Sequence, residues 1–300
     1  MTENLKKYMA KSFLYEEIQK VVAPIKNYAI VKGDPLSLLV FGQCGKRLMS
    51  DVDILVNYSD VVNVERSLYQ NGFVKTINSR ESELFMKSFS HQSVPFVKEN
   101  LMFGNIYIDI NFDVFWGEYE GTKIDITSYL ENSMEINLYG TTLKTLTPLY
   151  LFVHFALHTY KDMNSIYLLS QRCTDWCVAL EELYNLLMRN MSEISIDKLV
   201  ALCEIYSIKP FIYYVLYHVN YLYEDKTICN YLKALYCENG EYLIGCFGLN
   251  DIERKKWPCN LSQRIKQNDK FCIIEEVLTE NDLNKINRNK IYMRGKLNDE

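Results

Sequence analysis

Apolar positions recur at helical spacing from about Leu5 to Ala23, and the run stops at Pro24, which cannot continue a helix comfortably. Tyr28 to Val31 is a short β-like stretch, followed by Lys32 and Gly33. Asp34 and Pro35 make an acceptable helix start and predict a brief helix over about Leu36 to Phe41, ended by Gly42. The polar loop QCGKRLMS then leads to the run from Asp51 to Val56, where acid and aliphatic residues alternate before the strand becomes wholly apolar. A helix is expected over Ser59 to Gly72, strands over Phe73 to Ile77 and Ser82 to Phe89, and a strict period-two strand over Asn105 to Phe115. Met134 to Leu146 reads as a hairpin turning at Tyr139-Gly140. Beyond about residue 145 nearly everything repeats at helical spacing, and the charged tail is expected to fray after Asn287. The predicted fold class is α+β: a small mixed sheet with helices over residues 1–146, then an all-helical domain over 147–300.

The same periodicities place the candidate chemistry. Asp51 and Asp53 stand two apart on a strand, so their carboxylates project from one face. On the period-two strand Tyr107, Asp109, Asn111 and Asp113 share a face, and Asp109 joins the first two acids if the strands are neighbours. Converging carboxylates repel one another, a divalent cation removes that cost, and hard oxygen donors select Mg²⁺ or Mn²⁺. Such a site supports in-line attack on a phosphoryl group. A glycine turn feeding a helix N-terminus supplies N–H donors for polyphosphate, and Lys32-Gly33-Asp34-Pro35 has that form. Lys46 and Arg47 lie in the loop before the acidic strand, where the forked guanidinium of Arg47 can reach a phosphate. His154 and His158 share a helix face at a spacing able to bind zinc, but the sequence identifies no third ligand. The tyrosine-rich run from Phe211 to Tyr223 reads as packing rather than a stacking surface.

Composition narrows the partners. Thirty-eight acidic against thirty-three basic residues leave a net charge of −5, so no global positive field draws in polynucleotide. The nine cysteines are odd in number and never arranged as CxxC, which fits free cytosolic thiols. The N-terminal residues lack the apolar core of a signal peptide, and the most apolar later runs are shorter than the roughly 20 residues a membrane helix needs. A cytoplasmic protein is expected, acting without a membrane.

The order of these pieces resembles the nucleotidyltransferase superfamily of the DNA polymerase β type. Its elements here are Val31-Lys32-Gly33, then Ser50-Asp51-Val52-Asp53-Ile54-Leu55-Val56, then Ile108-Asp109-Ile110. More narrowly, KG, R-x-x-S-D-h-D-h-L-V, the later aspartate strand and P-x-x-L-h-x-H-x-x-x-H look like the bacterial "uncharacterised nucleotidyltransferase" group, over roughly residues 20 to 180. The resemblance implies a polymerase β-like domain that transfers a nucleotide from a nucleoside triphosphate to a small-molecule, peptide or protein acceptor. It implies Asp51, Asp53 and Asp109 as catalytic ligands of two Mg²⁺ or Mn²⁺ ions. Lys32, Gly33, Arg47 and Ser50 become nucleotide contacts, and Asn111, His158, Lys161 and Asp175 acceptor contacts. Two departures stand out: Asp34 follows the signature glycine where serine is common, and Asn111 replaces a usual histidine. An acidic group beside a triphosphate is unfavourable, so Asp34 is expected to face away or to cap the helix. The rival classes are a non-catalytic interaction protein on the same scaffold and, more remotely, a zinc hydrolase using the histidines.

Overall fold

The computed structural model describes residues 3–47, 49–102, 104–115, 124–172 and 176–294. The described chain divides into a unit running to Leu151 and a second unit from Phe152 onward. In the first, α1 (Glu3–Val22) buries Tyr15, Ile18, Val21 and Val22 and packs on strand and helix elements of the same unit. There follow β1 (Tyr28–Ile30), α2 (Asp34–Phe41), β2 (Val52–Val56), α3 (Val61–Gln70), β3 (Val74–Lys75) and α4 (Arg80–Phe89). The unit continues with β4 (Phe96–Lys98), β5 (Ile106–Asn111), α5 (Ile126–Glu131), β6 (Ser133–Leu138) and β7 (Thr141–Leu146). The sheet order is β3-β4-β5-β2-β1-β7-β6. It is mixed, because β2 runs parallel to β5 and β1 parallel to β7 while the other neighbours are antiparallel. Ile30, Ile54, Val56, Ile108 and Ile110 supply the apolar side of its centre and pack with Val64 and Leu68 of α3.

Several expectations change. Residues 82–89 are helix rather than strand: Ser79 caps α4 by accepting from the Ser82 N–H at 3.3 Å, and Lys87 pairs with Glu83 one turn away at 2.9 Å. The strand predicted to Phe115 ends at Asn111, because the Asp113 carboxylate accepts from the N–H groups of Val114 and Phe115 and turns the chain. β4 was not foreseen; its three residues are held between β3 and β5.

The second unit is helical, begun by the helix Pro148–Asn164, which starts just before the division. Its centre is the helix Lys209–Tyr223, apolar nearly all round, against which pack Trp176–Arg189, Ile196–Ile205, Lys226–Ala234 and Glu238–Ile244. Gly240 permits the last of these to approach, since a Cβ there would lie 2.7 Å from the Tyr213 ring. The tyrosine-rich run thus packs as core through Tyr213 and Tyr214, while Tyr221 and Tyr223 at its end are exposed. A two-stranded ladder, Cys246–Phe247 with Lys255–Lys256, interrupts the helices. The tail is helical through Arg294, capped by Asp282 on Thr279 and anchored by buried Ile286 and Asn289. No helix among the described residues is long and apolar enough to cross a membrane.

Asp34 ties the first unit together. It is fully buried, and its carboxylate accepts from Tyr15 Oη at 2.7 Å, from the Gly45 N–H at 2.6 Å and from Lys11 Nζ at 3.0 Å. Tyr139, at the β6–β7 corner with φ 52°, stacks on Tyr15 at 5.9 Å and reaches the same carboxylate at 3.5 Å. Burial, with the Asp34 charge beside it, holds the Tyr15 phenol well above its ordinary pKa. The acid after the signature glycine therefore points inward, joining α1 to the following loop. Removing one partner of a buried, hydrogen-bonded ion pair costs about 3 kcal/mol or more. Asp34→Ala is expected to lower unfolding stability by about that amount in urea titration.

Candidate active site

The parallel pairing of β2 with β5 sets the geometry. Its register places Asp53 opposite Asp109, and Leu55 opposite Asn111. Paired residues of neighbouring strands point to the same face about 4.8 Å apart, so Asp53 and Asp109 stand side by side. Asp51 directly precedes β2, two positions from Asp53.

Asp53 is 4% exposed, and its Oδ1 accepts from Lys32 Nζ at 3.0 Å and from Asn111 Nδ2 at 3.1 Å. Asn111 is itself 2% exposed, and its Oδ1 has no hydrogen-bond partner. Burial, then the Asp53 charge, raises the Asp51 carboxyl above its ordinary pKa, against the opposing pull of Lys32 and of the Ser50 hydroxyl, which donates to Asp51 at 3.3 Å. The glycine turn adjoins this acid pair, because the Val31 N–H donates to the Asp53 backbone carbonyl at 3.2 Å. Gly33 then turns the chain with φ 63°, a conformation that disfavours side chains, and opens α2.

A second arm holds the loop after α2. Gly42 closes that helix in the left-handed conformation. Ser37 Oγ donates to the Gln43 carbonyl at 2.9 Å and accepts from the N–H groups of Lys46 and Arg47 at 3.1 and 3.4 Å. With Gly45 held on Asp34, this fixes the backbone carrying both cations. The loop borders a cleft of about 850 Å³ whose lining includes Tyr8, Lys46, Arg47, Ser50, Asp51 and Tyr139. Asp51 is the predicted acid that the cleft reaches. Sequence reasoning missed the part played by α1, although Tyr8, Lys11 and Tyr15 fall on one helical face at spacings of three and four.

The structure thus brings Lys32, Asp53, Asp109 and Asn111 into one sheet-centred group, with Asp51 and Ser50 at its edge and Arg47 on the cleft. His158 and Lys161 belong to the second unit, where His158 Nδ1 lies 3.5 Å from Asp162 and Lys161 Nζ 3.7 Å from the same carboxylate. Asp175 lies outside the described residues. Among the described residues no group of three or more His, Cys, Asp or Glu side chains is arranged to hold a metal ion, the histidine pair included.

A family model described as uncharacterised nucleotidyltransferase matches residues 9–224, which include every element of this group. The chain belongs to that family. Neither a curated protein nor a solved structure matches it. The mixed sheet followed by a helical region is consistent with a nucleotidyltransferase domain and its helical extension.

The raised Asp51 pKa has a consequence for stability. Ionising this carboxyl costs the folded chain more than the unfolded one, whose value is near 3.8. Its contribution is therefore most favourable below that value and declines as pH rises through the folded one. Asp51→Asn is expected to be more stable than the parent at pH 7 in buffer free of divalent cations. The difference should close as pH falls towards 4, followed by urea unfolding across the pH series.

Proposed function

We propose that this nucleotidyltransferase moves a nucleoside monophosphate from a nucleoside triphosphate to an acceptor hydroxyl, amine or phosphate, releasing pyrophosphate. The observation that carries the reading is the in-register pairing of Asp53 with Asp109 on parallel strands, beside a glycine turn. This element order also supports a polymerase β-type fold for the first unit.

The donor set has the chemistry of a hard cation site: carboxylates from Asp51, Asp53 and Asp109, with the buried, unpartnered Oδ1 of Asn111 close by. Burial, then the Asp53 charge beside it, raises the Asp51 pKa, and a bound cation would relieve both costs. Asp51, Asp53 and Asp109 would hold Mg²⁺ or Mn²⁺, which would supply charge neutralisation at the phosphates and a more acidic nucleophile. The chain's own groups do the rest. Gly33 and the first turn of α2 present N–H donors, and Arg47 and Ser50 face the cleft from which a triphosphate approaches. The acceptor's lone pair forms a bond to the α-phosphorus as the bond to pyrophosphate breaks, and Asp109 takes the acceptor's proton. His158, Lys161 and Asp175 serve the acceptor. The acceptor is a small molecule, peptide or protein, not a polynucleotide.

One observation favours a second reading, a nucleotidyltransferase scaffold that binds without catalysis. The Lys32 ammonium already neutralises Asp53 at 3.0 Å, in the role a metal ion would take. Mass spectrometry of candidate acceptors after incubation with mixed nucleotides and Mg²⁺ separates the two. Transfer is expected with the parent chain and should fall at least about a hundredfold in Asp53→Asn with unchanged circular dichroism. Transfer that survives in Asp53→Asn overturns the mechanism. Calorimetric binding of Mg²⁺-nucleotide with no added mass on any acceptor establishes the second reading.

A further inference from the structure

The second unit buries a cation for which the described residues supply no counter-charge. Arg264 is 3% exposed, and its guanidinium lies over the Trp257 indole, 5.1 Å from the ring centre. Its Nε and Nη1 are shut off from solvent without a hydrogen-bond partner, and no described carboxylate pairs with it. The groups facing it come from the helix Lys209–Tyr223 and from the segment after it: Tyr214, Tyr217, His218, Cys246 and Cys259. None of them is a carboxylate. Burial pushes the Tyr214 phenol up to about 12 and raises the Cys259 thiol, while His218 is pushed down to about 3. His218 Nδ1 donates to the Tyr214 carbonyl at 2.8 Å, so its Nε2 is unprotonated. A guanidinium stays charged under all these conditions, and a buried charge without partners is costly.

Trp257 meets Trp176 edge to face at 5.9 Å, and the Trp176 Nε1 is a further buried donor without a partner. Over Trp176, at 4.8 Å from its ring, lies Lys270, itself 4% exposed. A second buried cation thus lies on the neighbouring indole, and its ammonium donates to the Gln267 carbonyl. Trp257, Arg264 and Lys270 lie beyond the segment that the family model matches.

We propose that Arg264, stacked on Trp257, is the anchor of an oxyanion-binding site in the helical unit, taking the phosphate or carboxylate group of a small ligand. The guanidinium fork matches either group with two parallel hydrogen bonds, and the indole fixes its plane. Entry of the anion supplies the missing counter-charge and acceptors together.

Tryptophan emission reads the site directly. The full chain is titrated with inorganic phosphate and, separately, with acetate, chloride holding the ionic strength constant. A saturable emission change is expected in the parent and in Arg47→Met, which removes a phosphate contact of the other site. It should weaken at least about tenfold in Arg264→Met. Arg264→Lys, which keeps the charge and loses the fork, should weaken it as well and serves if the methionine variant does not fold. A response to phosphate alone assigns a phosphoryl ligand, and a response to acetate assigns a carboxylate. Absence of a saturable response in the parent, or equal responses in the parent and a folded Arg264 variant, overturns the proposal.

Discussion

Parallel pairing of β2 with β5 is the constraint on which the first unit's chemistry depends. Parallel strands cannot be joined by a tight turn, so the chain between them must travel away and return. It does so through α3, the short β3, α4 and β4, which also cover and extend the sheet. The return register decides which acid meets which. With Asp53 opposite Asp109, two carboxylates share one face, whereas a slip of one residue would turn Asp109 into the apolar layer held by Ile108 and Ile110. Those isoleucines are fully buried, so the register that protects the core is the one that pairs the acids.

Around that pair the structure balances charge by position. Lys32 and Asn111 both hold the same oxygen of Asp53, and the glycine turn is tied to the backbone of that residue. Asp34, next along the chain, is withdrawn from the turn and spends its charge on Lys11, Tyr15 and Gly45. A carboxylate in this position is therefore compatible with a phosphate-binding turn, because its field is compensated inside the protein. The same compensation secures the loop bearing Lys46 and Arg47. A substitution that looks unfavourable in the motif thus serves as the fastening of the motif's neighbour. In the helical unit Arg264 is buried against the Trp257 indole, whereas Lys255 and Lys285 pair with the Asp282 and Glu253 carboxylates.

Much of the architecture was legible along the chain. The helix ending before Pro24, the brief α2 closed by Gly42, the acidic strand and the hairpin at Tyr139-Gly140 follow from local signals: period, caps and turn residues acting over a few positions. The failures share one cause. Residues 82–89 carry apolar groups compatible with either period, and the cap at Ser79 together with the burial of Met86 decided for helix. The tail after Asn287 is too polar to read as helix, yet Asn289 on it is fully buried.

What the sequence determined by itself was the order of elements, the face on which Asp51 and Asp53 project, and the membership of Asp109 and Asn111 on one side of a later strand. Only tertiary structure decided that the two strands are neighbours in this register, that Asp34 turns inward, that α1 contributes to the cleft, and that Arg264 is buried without a counter-charge. The physical reason is range. Backbone periodicity and capping act over one or two turns, whereas strand register and the burial of a charge depend on groups that the chain brings together from far apart.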